Sequence, residues 1–163
     1  MNTQPLSVAS LGVMQPKIVL YIDNQPLTLE GNVANVAELI EKNGNHWRKI
    51  FTIFAKLCSD DDWRVYRDTQ LLQQEEQINF TSQMYEQATV HIFSGKQCWQ
   101  RFSVAESALD NMRQSSCKRV FYKTNQQGRL LLYSPYFDYR QFPNILIMEV
   151  KAIIDRFYMR EAK

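Results

Sequence analysis

Lys17-Ile18-Val19-Leu20-Tyr21-Ile22 is the stretch on which the fold of this chain turns. It is a continuous apolar, β-branched run of strand length with no polar alternation, the pattern of a strand buried on both faces. It ends at Asp23-Asn24-Gln25-Pro26, where Asx residues and a proline make a turn. A second such run, Thr89-Val90-His91-Ile92-Phe93, passes through Ser94-Gly95-Lys96 into a helix carrying Cys98, Trp99 and Phe102. Two buried strands, each handing over to helical sequence, predict a parallel pair with helices on both faces, an α/β arrangement.

The rest of the chain fills in around these two strands. Asn32 is suited to cap a short helix over Val33 to Lys42, which Asn43-Gly44 ends. From Asn45 to Cys58, the apolar residues Trp47, Ile50, Phe51, Phe54 and Leu57 recur at three and four, one core-facing helical stripe. Residues 63–87 are rich in Gln and Glu, with weak helical periodicity through Val65, Leu72 and Ile78, and read as helix and loop over one sheet edge. Ser103 is placed to cap another helix running to Ser116. The runs 119–123 and 129–133 flank a five-residue connection ending in Gly128, which predicts a hairpin. Pro143-Asn144 opens a last helix with Leu146, Ile147, Val150, Ile153, Ile154 and Phe157 on its buried face. The expected whole is an N-terminal arm over 1–16 and a single α/β domain over 17–163. That domain is a three-layer α/β/α sandwich around a small, mainly parallel central sheet, with a crevice at the strands' carboxyl ends.

Composition narrows the class. At 163 residues with 45% hydrophobic and 12% aromatic residues, the chain is a folded domain with a sizeable core. A net charge of +2 gives no overall electrostatic mandate for nucleic acid or a membrane surface. Cys58, Cys98 and Cys117 are odd in number and lack C-x-x-C spacing, which points to a reducing compartment and away from a disulfide framework or zinc knuckle. No apolar run approaches the ~20 residues of a bilayer span, and the first residues lack a signal-peptide pattern. The expectation is a soluble, cytoplasmic protein with no membrane association, no metal and no cofactor.

Candidate site residues gather where strands end. The loop from Tyr133 to Asn144 holds two prolines, three tyrosines, two phenylalanines and an Asp/Arg pair between a strand and a helix. Polar and aromatic residues at such a junction commonly serve a ligand. If the strands before Asp23 and Asp138 are neighbours, two carboxylates face one crevice, where they position a water or a cation, or each caps a turn locally. Asn24, Gln25, Tyr136, Tyr139 and Arg140 accompany them, Arg140 either clamping a phosphate or carboxylate or pairing with Asp138. Gly95-Lys96 invites comparison with a P-loop, but Val90 and Gln97 stand where that motif needs Gly and Ser or Thr. A backbone amide nest and a plain strand-to-helix turn both stay open there. His91, in mid-strand, reads as a satisfied interior residue. His46, beside Asn45, is either a cap or surface residue or a catalytic group, and Trp47 stands at the helix start where it can edge a crevice.

The ordered pieces Ile22-Asp23-Asn24-Gln25-Pro26, Gly44-Asn45-His46-Trp47, Ile92-Phe93-Ser94-Gly95-Lys96 and Ser134-Pro135-Tyr136 together resemble the uracil-DNA glycosylase superfamily, particularly its mismatch-specific branch. The chain also looks like a member of a small bacterial family of unknown function sharing the loop Tyr136-Phe137-Asp138-Tyr139-Arg140-Gln141-Phe142-Pro143-Asn144. The glycosylase resemblance implies recognition of a nucleobase in DNA or a nucleotide. Asp23 or Asn24 would orient a water, backbone donors near Ser134 would assist, and Tyr136 or Trp47 would stack the ligand. The superfamily's last motif begins with a histidine where this chain has Tyr133, which implies altered or absent base excision. A second expectation, from a different class, is a non-catalytic module that docks a protein partner through the aromatic loop 135–142.

Overall fold

The computed structural model describes residues 8–28 and 35–161. In chain order the elements are β1 (Ser10–Gly12), β2 (Ile18–Tyr21), α1 (Val36–Asn43), α2 (Asn45–Cys58), α3 (Trp63–Thr69), β3 (Glu76–Asn79) and β4 (Val90–Ser94). There follow α4 (Lys96–Arg101), α5 (Glu106–Leu109), β5 (Arg113–Gln114), β6 (Phe121–Thr124), β7 (Leu130–Ser134) and α6 (Asn144–Glu161).

All seven strands join one sheet in the order β1-β3-β2-β4-β7-β6-β5. The opening run sits near its middle, with β2 parallel to both β3 and β4, and β4 parallel to β7. Toward the edges the pairing is antiparallel: β1 with β3, β6 with β7, and β5 with β6. The fold is therefore α/β with a mixed sheet, and the expectation of a mainly parallel one is corrected. The predicted hairpin accounts for one reversal, because a connection as short as 125–129 joins only antiparallel neighbours. Gly128 takes φ +79° in that turn, a left-handed conformation suited to glycine. Within the stretch read as an arm, Ser10–Gly12 supplies the other edge.

Alternation along the buried strands feeds two clusters. Ile18, Leu20, Ile22, Ile92 and Leu132 pack with residues of α1, α2 and α6, while Val19, Tyr21, Phe93, Leu131 and Tyr133 pack with Cys98, Trp99 and Leu109. The α2 stripe and the α6 stripe are buried as their spacing predicts.

Two expectations about elements fail, and a third lies partly outside the described residues. The described start of the first helix is capped by Asn35, whose side chain accepts from Glu38 N at 3.0 Å; Asn32 and Val33 lie outside the described residues. The polar segment after α3 is not a cover over the edge but contains the interior strand β3. Its Glu76, Gln77 and Asn79 are buried and satisfied side chain by side chain. Leu72 N donates to Glu76 at 2.9 Å, Gln77 donates to Val13 O at 2.8 Å, and Asn79 donates to Gln77 at 3.0 Å. Beyond α4, Ser103 is not a cap; it takes φ +59°, and only Glu106–Leu109 is helical before the chain turns into β5.

Candidate functional site

Because β2, β4 and β7 are parallel, their carboxyl ends lie on one edge of the sheet, and a crevice of about 960 Å³ opens there. Ser94, Trp99 and Leu109 line it from buried positions, with Phe121, Pro135 and Tyr136 half-buried. Asp23, Asn24, Lys96, Lys118, Arg119 and Arg140 line it from exposed positions. Among the described residues, Lys96, Lys118, Arg119 and Arg140 form no ion pair with a carboxylate. Glu106 and Asp110 also reach the crevice, so its charge is mixed with cations in excess.

Tyr136 is the most constrained of the lining residues. Asn24 Nδ2 donates to its oxygen at 3.1 Å, and His46 Nε2 lies 2.8 Å from the same oxygen. The His46 and Tyr136 rings stack with centroids 5.7 Å apart and 25° between planes. Gly95, at φ +88°, lets its backbone pass under Tyr136, where a Cβ would stand 3.4 Å from the ring. Burial raises the phenol above its ordinary value, with the Asn24 amide opposing. The phenol oxygen accepts from Asn24 and shares a second hydrogen bond with His46 Nε2.

Asp23 is held by Arg101, a residue the sequence did not single out. Arg101 Nε donates to Asp23 Oδ1 at 2.8 Å, and the same guanidinium donates to the backbone oxygens of Phe80, at 3.0 Å, and Thr81. The Asp23 carboxylate is therefore a fixed acceptor at the crevice mouth.

The remaining candidates divide. Asp23, Asn24, Gly95, Lys96, Tyr136 and Arg140 line one crevice, and His46 joins them through Tyr136. Gln25, Asn45, Trp47, Ser134, Asp138 and Tyr139 do not line it. Trp47 is 3% exposed, its ring against Phe51 and Phe80 at 5.4 and 6.3 Å, so it is a core residue. Gln25 and Asn45 are exposed. Ser134 is buried behind the crevice, its carbonyl accepting from Gly95 N at 2.9 Å. Asp138 accepts from Arg140 N at 2.8 Å, which makes it a turn brace by way of the backbone. Tyr139, 43% exposed, stands beside Lys49 and Lys56 at 5.7 and 6.0 Å. The loop's phenylalanines, Phe137 and Phe142, are fully buried and meet edge to face at 5.3 Å.

His91 is an interior residue, as its mid-strand position predicts. Its Nδ1 lies 2.8 Å from the Tyr21 hydroxyl and its Nε2 2.9 Å from Ala88 O. Burial pushes the imidazole down to about 4. Tyr133 stacks on Phe93 at 5.0 Å inside the second cluster, and burial pushes its phenol up to about 12. Among the crevice residues that sequence missed are Trp99, Lys118, Arg119 and Phe121. They come from a short helix, a turn and a hairpin strand with no common motif to mark them.

Among the described residues no cluster of three or more His, Cys, Asp or Glu is placed to hold a metal ion. No described helix is long and apolar enough to cross a membrane. No significant match is found among curated proteins or among solved structures. The family model that does match spans residues 9–155, and the chain belongs to that family, one of unknown function (DUF6942).

Proposed function

We propose that the chain recognises a nucleobase carried on a phosphate, as a nucleotide or within DNA, in a glycosylase-like crevice. On this proposal the sheet, its edge strand Ser10–Gly12 included, and its helices form one α/β domain whose layers correspond to those of the uracil-DNA glycosylase superfamily. The observation that carries it is the pairing of buried Trp99 and Leu109 with the cations Lys96, Lys118, Arg119 and Arg140, none in an ion pair among the described residues, around one crevice. An apolar, aromatic interior suits a base, and exposed cations suit its phosphate. Asn24, fixed by Tyr136, supplies an amide for a base edge.

Excision needs more than recognition. Asp23 is the carboxylate available to orient a water, and its clamp by Arg101 holds it in place. No histidine follows β7, and His46 approaches from α2 only through Tyr136. The function supported best is binding, with excision as the activity to be assayed. The experiment incubates the protein with uracil-, hypoxanthine- and mismatch-containing oligonucleotides, reading abasic sites and salt-sensitive binding together. Binding that Lys96→Gln/Arg140→Gln weakens supports the proposal; neither binding nor cleavage overturns it.

A second reading, docking of a protein partner through 135–142, has one observation in its favour. Tyr139 is exposed with Lys49 and Lys56 beside it, on a side of the loop away from the crevice lining. A pull-down that Tyr139→Ala abolishes, with nucleotide binding intact, supports that reading.

A further inference from the structure

At the far end of the sheet from the crevice, four cations share one concavity that no carboxylate lines among the described residues. It measures about 340 Å³ and lies between α6 and the β5–β6 edge, with Arg113, Lys123, Arg156 and Arg160 lining it. Buried Phe157 and half-buried Tyr122 stand among them. Leu130, where β7 begins, also lines it, whereas the crevice opens where β7 ends at Ser134, about 13 Å further along the strand.

Gathering these charges is costly in a chain whose net charge is only +2. Arg156 and Arg160 are spaced i, i+4, which is repulsive for like charges. Arg113 pairs in register with Tyr122, the residue before Lys123 on β6, so both cations come from the same pair of short edge strands. The helix dipole favours cations near the α6 carboxyl end, but it does nothing for Arg113 and Lys123, which are on strands. Two acids of α6 are committed elsewhere: Glu149 accepts from Ser116 at 2.6 and 2.9 Å, and Asp155 pairs with Lys151 at 3.2 Å. Among the described residues none of the four cations has an ion-pair partner.

We propose that this concavity is a second anion site that takes closely spaced phosphates. Two arginines and a third guanidinium from a facing strand present forked donors to phosphate oxygens, and Lys123 adds a point charge. The phosphates come either from a free polyphosphate or from the backbone of a nucleic-acid strand.

Isothermal titration of the full chain with pyrophosphate, and separately with a short single-stranded oligonucleotide, tests this. Circular dichroism first establishes that Arg156→Gln/Arg160→Gln and Lys123→Gln are folded; all three positions are exposed. The site predicts that each variant weakens pyrophosphate binding, the double variant by about tenfold or more, and that the same loss is seen in a Lys96→Gln/Arg140→Gln background, where the crevice cations are gone. Tight oligonucleotide binding with a steep salt slope, lost in the same variants, assigns the phosphates to a strand. Saturable pyrophosphate binding with no such oligonucleotide binding assigns them to a free ligand. No pyrophosphate binding, or binding that the crevice variant alone removes, overturns the proposal while leaving the crevice function standing.

Discussion

His46 Nε2 lies 2.8 Å from the Tyr136 hydroxyl, although the two are 90 residues apart in the chain. The contact ties the first turn of α2 to the loop after β7, and Asn24 ties the same hydroxyl to the end of β2. One phenol thus fixes three segments at the crevice mouth. Tyr136→Phe keeps the ring and deletes both hydrogen bonds. The expected loss of stability is small, about 1 kcal/mol, because both bonds are at the surface. Weaker nucleotide binding is expected beside it, since Asn24 loses its support. Denaturant unfolding and titration calorimetry on the same variant measure the two effects.

The aromatic loop is anchored from inside. Phe137→Ala or Phe142→Ala is expected to cost about 3–5 kcal/mol by cavity formation, since both rings are fully buried. Tyr139→Ala, at an exposed ring, is expected to fall within about 0.5 kcal/mol of the parent. Urea midpoints of the three variants check this. Equal losses at 137 and 139 would mean that the loop is not braced as described.

Glu76 explains how a polar segment becomes an interior strand. Its carboxylate accepts from Leu72 N at 2.9 Å and from the Tyr66 hydroxyl, in a position 1% exposed. Glu76→Ala leaves both donors without an acceptor, and a loss of about 2–4 kcal/mol is expected. Glu76→Gln retains one acceptor and the shape, so it is expected to lose less. Burial raises this carboxyl above its ordinary value, so its charged form is the disfavoured one in the fold. The associated stability is present below the unfolded pKa and is lost as pH rises through the folded one. Glu76→Gln should therefore flatten that part of the pH profile.

His91 acts with the opposite pH sense. Its folded pKa, about 4, lies below the unfolded value near 6.5. The stability it contributes is present above the unfolded value and is lost as pH falls from there toward the folded one. The full difference corresponds to roughly 3 kcal/mol. Unfolding midpoints measured down this window should fall for the parent and fall less for His91→Gln. Parallel profiles would mean that the imidazole does not charge on unfolding.

What was legible in sequence follows from where the stabilising contacts lie. Helix α2 and helix α6 bury apolar stripes at helical spacing, so their bounds and faces can be read directly. Strands β2 and β4 are apolar on both faces and announce themselves equally well. Strand β3 is hidden because its buried side chains are polar and held by hydrogen bonds, Glu76 with Leu72 N, Asn79 with Gln77 and Gln77 with the distant Val13, so no apolar pattern marks it. The mixed sheet is hidden for a related reason: β1 and β5 are only three and two residues long. At the crevice, Asp23, Asn24, Lys96 and Tyr136 are legible because they follow strands. Arg101 and Trp99 are not, since they arrive from α4 facing back across the sheet edge. Trp47 shows the limit in the other direction, as a helix-start position facing the core.

Titration of the isotope-labelled chain with a nucleoside monophosphate, followed by amide chemical shifts, tests nucleotide recognition in the crevice most directly. Progressive shifts are expected at Asn24, Gly95, Lys96, Tyr136 and Arg140, together with weakened binding in Lys96→Gln/Arg140→Gln. An unchanged spectrum, or shifts confined to the neighbourhood of Lys123 and Arg156, would contradict it.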